Sequence, residues 1–423
     1  MLSLLYPSMQ GDSKTQTESI LGFSSDENEL PWARTIAAFD TDYTGACVDE
    51  FDGQCFRNQS TVSVSNSVWV HDGSSLNPAY ENLVGDIVSE TDFSAAEAGD
   101  LVNAWVEEAT RGLIDTIVES APLSPWILLA INAIYLKASW RLPFDDFRTT
   151  TDKFYTPDKL SVTRDDTIFM HQLERHPYSH TAIPGFQMVQ LQFTSEPLSM
   201  ILVQPSTAAG GTVTSTQVLA ALPEIVDINT QHPRVALALP RFEMESIYTD
   251  ILKTSLMDMG LTAPFAGNLC VYEDDCSPFL DVVLQKTYLS LDEKGVEAAA
   301  VTVGAVATSF PVDPPFEFLA NAPFQFFIYD AATEVVIFEG RVVDPIPHAN
   351  APATTSTGKH SDPTFWTDQF GLEPEVVFNG TIVPLATTAP PTTTISTTTT
   401  SGCKTFRVLM TLAILCVSTI LLS

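Results

Sequence analysis

Asp292-Glu-Lys-Gly-Val-Glu-Ala-Ala-Ala-Val-Thr-Val-Gly304 joins a charged turn to a run of small and β-branched residues. Alanine is the best helix former, so Glu297 to Ala300 alone suits a helix fragment. Val301-Thr-Val-Gly304 argues instead for a strand. Written as a strand from Val296, one face carries Ala298, Ala300, Thr302, Gly304, Val306 and Thr308. The other carries Glu297, Ala299, Val301, Val303, Ala305 and Ala307. The first face holds no charge and no large side chain, so it can enter an apolar core.

Strand-like segments flank this stretch. Val282 to Leu291 precedes it, and Phe324 to Tyr329 and Val335 to Val343 follow it. Further back, Val189 to Phe193 alternates, and Leu198 to Val203 and Val235 to Leu239 are apolar runs that suit strands. Ile127 to Leu136 is another long apolar run. Leu101 to Val118 repeats apolar residues at three- and four-residue intervals, which predicts an amphipathic helix, and Leu252 to Leu261 predicts a second, with Gly260 near its end. Helices first and strands later, without regular alternation, indicate a mixed α+β domain.

The totals narrow the function. Among 423 residues, 52 are Asp or Glu and 20 are Lys or Arg, a net charge of −32. Such a surface repels nucleic acid and anionic membranes, so neither is expected as a partner. Cys47 and Cys55, and likewise Cys270 and Cys276, lie close together in polar stretches without neighbouring histidine. Two local disulfides and an oxidising compartment are therefore expected rather than metal ligation. Asn58-Gln-Ser60 and Asn379-Gly-Thr381 are glycosylation sequons that agree with an extracellular or cell-surface location. His171, His176 and His180 stand near Glu174 at irregular spacing and are expected to be solvated loop residues. No metal or other cofactor is expected.

Composition changes after Pro345. Residues 346–403 read as a Thr/Ser/Pro-rich stalk, and 404–423 as a hydrophobic tail. Small residues, a polar spacer and an apolar end form the pattern of a GPI-attachment signal; a short membrane helix is the alternative.

Several motifs within residues 1–345 together resemble the serpin family. They are Asn132-Ala-Ile-Tyr-Leu-Lys-Ala-Ser-Trp140 with Pro143-Phe144, Leu198-Ser-Met-Ile-Leu-Val203, and Leu239-Pro-Arg-Phe242 followed by Met259-Gly-Leu261. The Asp292–Ala300 hinge, Phe318-Leu-Ala-Asn-Ala-Pro-Phe324 and Phe338-Glu-Gly-Arg-Val-Val-Asp-Pro345 complete the series. Gln285 stands where the family usually has histidine, Val296 where it has Thr or Ser, and Ala322 where it has a polar residue. Met1 to Leu5 and Gly11 to Gln16 resemble the middle and end of the family's second helix. The first helix and its adjoining strand have no counterpart, so Met1 is expected to be an internal methionine preceded by a signal peptide.

The resemblance implies helices around a large central mixed β-sheet, two further sheets and an exposed reactive loop. It implies a non-enzymatic, monomeric inhibitor of a serine endopeptidase, cut as a suicide substrate; a non-inhibitory binding or carrier protein is the alternative. Glu293, Gly295, Val296, Glu297, Ala298, Ala299 and Ala300 would form the loop hinge, and Asn132, Trp140 and Gln285 the region where the sheet opens. Counting from the hinge puts the scissile bond at Ser309-Phe310, which suits elastase-like or subtilisin-like proteases. A cut after Phe310 would suit chymotrypsin-like pockets, but Pro311 disfavours it.

Overall fold

Side-chain alternation with period two carries most of this chain into strands, because each then buries one face against a neighbouring layer. The computed structural model describes residues 2–21, 40–44, 50–51, 54–55, 59–73, 75–112, 114–156, 161–194, 197–206, 211–225, 232–248, 250–296, 314–332, 334–346, 359–360 and 364–370.

Along the first half run β1 (Asp40–Thr44), β2 (Glu50–Phe51), β3 (Gln54–Cys55), β4 (Gln59–His71), β5 (Val88–Thr91) and β6 (Leu128–Ser139). Next come β7 (Thr150–Tyr155), β8 (Val162–Arg175), β9 (Tyr178–Ser179), β10 (Phe186–Gln192), β11 (Leu198–Pro205) and β12 (Arg234–Pro240). The last are β13 (Phe242–Tyr248), β14 (Val282–Asp292), β15 (Gly295–Val296), β16 (Phe316–Leu319), β17 (Phe324–Asp330) and β18 (Val335–Val342).

Among the described residues, the central sheet has the order β1-β4-β6-β15-β14-β13, with β5 beside β4. A second sheet runs β18-β17-β11-β10-β9, a third β16-β12-β8-β7, and β2 and β3 form a separate pair. The architecture is mixed α+β, with the layers expected from the motifs. One face of the central sheet, through Ile134, Leu136, Ala138, Leu289 and Leu291, shares a core with the second and third sheets. The other face, through Leu129, Ile131, Ala133 and Leu284, lies under Val102 and Val106 of the helix Ala98–Ala109.

That helix is shorter than its periodicity predicted. It stops at Ala109, and Arg111 and Gly112 then take left-handed backbone angles of φ 56° and 83°. Ile114, Ile117 and Val118 are still buried, but on an irregular segment. Asn103 holds that segment: its Oδ1 accepts from the Ile117 and Val118 amides, and its Nδ2 donates to the Val118 carbonyl.

Cys270 and Cys276 form the expected disulfide. Cys47 lies outside the described residues, as do Asn58, Asn379 and the tail 404–423.

The stretch 346–403 departs from the expected stalk at residues 359–360 and 364–370. His360, Phe365 and Trp366 are buried against the third sheet, because aromatic side chains find an apolar surface there that a solvated stalk lacks.

Candidate functional site

The site is a seam in the central sheet. β14 and β6 run parallel and pair directly from Val282↔Leu129 to Tyr288↔Tyr135. Above that seam β15 sits between them, antiparallel to both: Val296 pairs with Leu291 and Ala138, and Gly295 with Asp292 and Ser139.

The turn from β14 into β15 explains its own composition. Asp292 Oδ1 accepts from the amides of Lys294 (2.8 Å) and Gly295 (3.1 Å), closing a tight turn. Burial pushes the Asp292 carboxyl above its ordinary pKa, against the pull of the Lys294 amide. Gly295 has φ +140°, and a Cβ there would lie 2.1 Å from the Ala138 carbonyl oxygen. Only glycine fits between two strands that close.

Four further residues fasten the turn. Trp140 Nε1 donates to the Asp292 carbonyl at 3.0 Å, while its ring stacks on Phe193 at 4.8 Å. The Trp140 amide donates to the Lys294 carbonyl and the Phe144 amide to that of Glu293, both at 2.8 Å. The Glu293 carboxylate is gripped by Arg241, with Nε 2.8 Å from each oxygen and Nη2 2.5 Å from Oε1. Thr149 Oγ1 donates to the same carboxylate. Both charged side chains are only 4% exposed, so each depends on the other for charge compensation.

Lower in the seam a polar row crosses the sheet. Asn66, Asn132 and Gln285 are register partners on β4, β6 and β14, all buried. Asn132 Nδ2 donates to Asn66 Oδ1 at 2.9 Å, and Asn132 Oδ1 has no hydrogen-bond partner among the described residues. Lys286, beside Gln285, ties β14 to its surroundings through Glu245 at 2.8 Å and the Thr116 carbonyl at 2.7 Å.

Of the residues singled out from the sequence, Glu293, Gly295, Val296 and Trp140 meet at the top of the seam, and Asn132 and Gln285 meet below. Glu297, Ala298, Ala299, Ala300, Ser309 and Phe310 lie outside the described residues. Arg241, Thr149, Phe193 and Asn66 were not anticipated. Arg241 carried a signal, a cation directly after the apolar run Val235–Pro240; Asn66 carried another, a polar residue within the alternation of β4.

The histidine cluster corrects an expectation. His171 and His176 are buried, not solvated, because the segment they occupy is β8 and its end, between layers; His180 is exposed. Burial pushes the His171 pKa down to about 3, helped by the charge of His360, and that of His176 down to about 4. His171 faces His360, Asp152, the Arg148 carbonyl, Phe365 and Trp366. Both rings fold neutral, while the unfolded chain protonates them below about pH 6.5. Their stabilisation is complete above that pH and is lost as pH falls towards 4. The melting temperature is therefore expected to drop by several degrees between about pH 7 and pH 5, and by less in His176→Gln. A flat profile over that range would contradict this account.

Among the described residues, His71, Asp72 and Asp92 are close enough to share a cation. Asp92 Oδ1 accepts from the Ser94 amide and hydroxyl, and His71 Nδ1 from the Phe93 amide.

Comparison with known proteins agrees with this geometry. The family model described as Serpin (serine protease inhibitor) matches residues 1–345. An uncharacterised serpin-like protein of Thermococcus kodakarensis is 32% identical over 290 residues, covering 66% of each chain. Serpin-Z2A of Triticum aestivum is 31% identical over 314 residues, 69% of this chain and 76% of that one. Iripin-3 of Ixodes ricinus is 27% identical over 353 residues, 81% and 85% of the two chains. Among solved structures, Serpin48 of Tenebrio molitor superposes with a TM-score of 0.62 at 22% identity, covering 82% of this chain and 89% of its own. Thyroxine-binding globulin in complex with thyroxine superposes with a TM-score of 0.60 at 21% identity, covering 81% and 89%. These likenesses and the hinge seated in its seam lead to one conclusion: the chain belongs to the serpin family of serine protease inhibitors.

Proposed function

We propose that this chain inhibits a serine endopeptidase as a suicide substrate, by cleavage of the segment after Val296 and insertion of its first part between β6 and β14. The observation that carries this reading is the seat of β15, antiparallel to two strands that run parallel below it. Continued downward, that register gives every residue of an inserted strand a partner on each side. Ala300 would come between Ile134 and Thr287, Thr302 between Asn132 and Gln285, and Ala305 between Leu129 and Val282. One parallel ladder is exchanged for two antiparallel ones, which are slightly stronger per residue. Thr302 would also bring a hydroxyl beside the unpartnered Asn132 Oδ1.

The chemistry belongs to the protease. Its serine Oγ attacks the carbonyl carbon of Ser309, the bond to the Phe310 nitrogen breaks, and that nitrogen leaves as an amine carrying the proton passed by the protease's base. Ser309 is then esterified to the protease. Insertion must outrun attack of water on that ester, so that the protease is carried along with its site distorted. Val306, Ala307 and Thr308 before the cut fit elastase-like or subtilisin-like pockets. The cysteine pairs and the apolar tail support a monomer working outside the cell or at its surface, held by a lipid anchor or a short membrane helix.

Incubation with a panel of such proteases tests the proposal. A covalent complex that survives boiling in detergent is the expected result. Clean cleavage without complex would mean a substrate, and an untouched loop would mean a binding or carrier protein.

A further inference from the structure

Residues 359–360 and 364–370 lie beyond the span matched by the family, yet their side chains reach each strand of the third sheet. On β7, Asp152 Oδ2 lies 3.5 Å from His360 Nδ1, with both side chains nearly fully buried. On β8, His171 Nε2 lies 3.4 Å from His360 Nδ1, and its ring packs against Phe365 at 4.6 Å. Leu173 of β8 and Ala236 of β12 form a buried cluster with Phe365 and Trp366, and Leu319 of β16 packs against it. Arg148 adds a cation over the Phe370 ring at 4.4 Å. One short segment thus grips all four strands.

We propose that this segment is a built-in clasp that keeps β16 in the third sheet and so prevents the uncut loop from inserting. The inference rests on the loop-insertion reading above. Among the described residues, β16 pairs only along Phe316–Leu319, in parallel, with β12, so its own hold on the sheet is small. The register of β15 sets Ala305 opposite the lower end of the seam, nine residues below Val296. That is a descent of about 30 Å at strand spacing. An uncut chain has nine residues, at most about 3.5 Å each, between Ala305 and Pro314 to return to the third sheet, whose strand β12 ends beside Arg241 at the top of the seam, so little slack remains. Insertion without cleavage must therefore pull β16 away from β12. Phe365 and Trp366, packed across Ala236 with Leu319 at the margin of their cluster, oppose that pull.

The test uses the full chain carrying Phe365→Ala and Trp366→Ala, singly and together, with Trp366→Phe as the conservative variant. Hydrogen exchange of the β16 amides reports the strand itself. Protease cleavage of the loop after incubation without protease reports whether it has inserted. In the double variant, β16 should exchange faster, and the loop should become resistant to cleavage about tenfold sooner than in the parent, with a rise in melting temperature. Trp366→Phe should behave nearly as the parent. Unchanged β16 protection overturns the clasp, and so does faster exchange with a loop that stays cleavable as long as the parent's. A parent that gains no thermal stability once cut would instead overturn the proposed inhibitory mechanism, since that arm does not involve the clasp.

Discussion

Replacing Ala300 with arginine is expected to turn the inhibitor into a substrate: the loop is still cut, and the protease is released active. The register of β15 brings residue 300 between Ile134 and Thr287, both about 5% exposed and on the face that joins the large core. A guanidinium arriving there finds no described carboxylate in register and costs several kcal/mol to bury, enough to slow insertion by about a hundredfold. The residues flanking Ser309 are unchanged, so recognition and acylation should proceed as before. Only the race between insertion and hydrolysis of the ester shifts. The measurement is the yield of detergent-stable complex per loop cut, which should fall from near-complete to a few per cent. A variant that traps as efficiently as the parent would rule out insertion through this segment.

Glu293→Ala is expected to lower stability by about 3–5 kcal/mol, because it leaves the buried Arg241 guanidinium without its counter-charge. The two side chains are each 4% exposed, and Thr149 completes the shell around the carboxylate. Glu293→Gln should cost less, since the amide oxygen still accepts from Arg241. The pair Lys286–Glu245 provides a contrast: Lys286 is also buried, but it keeps the Thr116 carbonyl as an acceptor and Glu245 is half exposed, so removal of Glu245 should cost less than removal of Glu293. Pairing Glu293→Ala with Arg241→Met should recover much of the loss, because no charge is then stranded. Unfolding rates at fixed denaturant are a suitable readout, because they remain defined where unfolding is irreversible. If Glu293→Ala unfolds at the parent's rate, the pair does not hold the turn.

Much of the fold was legible in local pattern. The strands around the hinge announce themselves by alternation, and the small, uncharged face from Ala298 to Thr308 marks a segment able to become a central strand. Gly295 was read as part of a hinge; the reason for glycine emerged only from the 2.1 Å approach of Ala138, on a strand distant in sequence. Leu101–Val118 misled because apolar spacing continues past the residues that end the helix. Ile114, Ile117 and Val118 are buried all the same, the first held by Thr110 Oγ1 and the other two by Asn103, not by helical hydrogen bonds.

By itself the sequence determined which segments alternate, which face of the loop can be buried, that Cys270 can reach Cys276, and which family the chain resembles. These are properties of neighbouring residues, set by side-chain periodicity and short-range chain geometry. Only the tertiary structure decided that β14 lies parallel beside β6, that Arg241 neutralises Glu293, that His171 is buried and that Phe365 and Trp366 pack on the third sheet. The physical reason is common to all four. A buried charge or polar ring is tolerable only where its partner arrives from a remote segment, and a strand's choice of neighbour depends on closing long loops; neither leaves a mark in local periodicity.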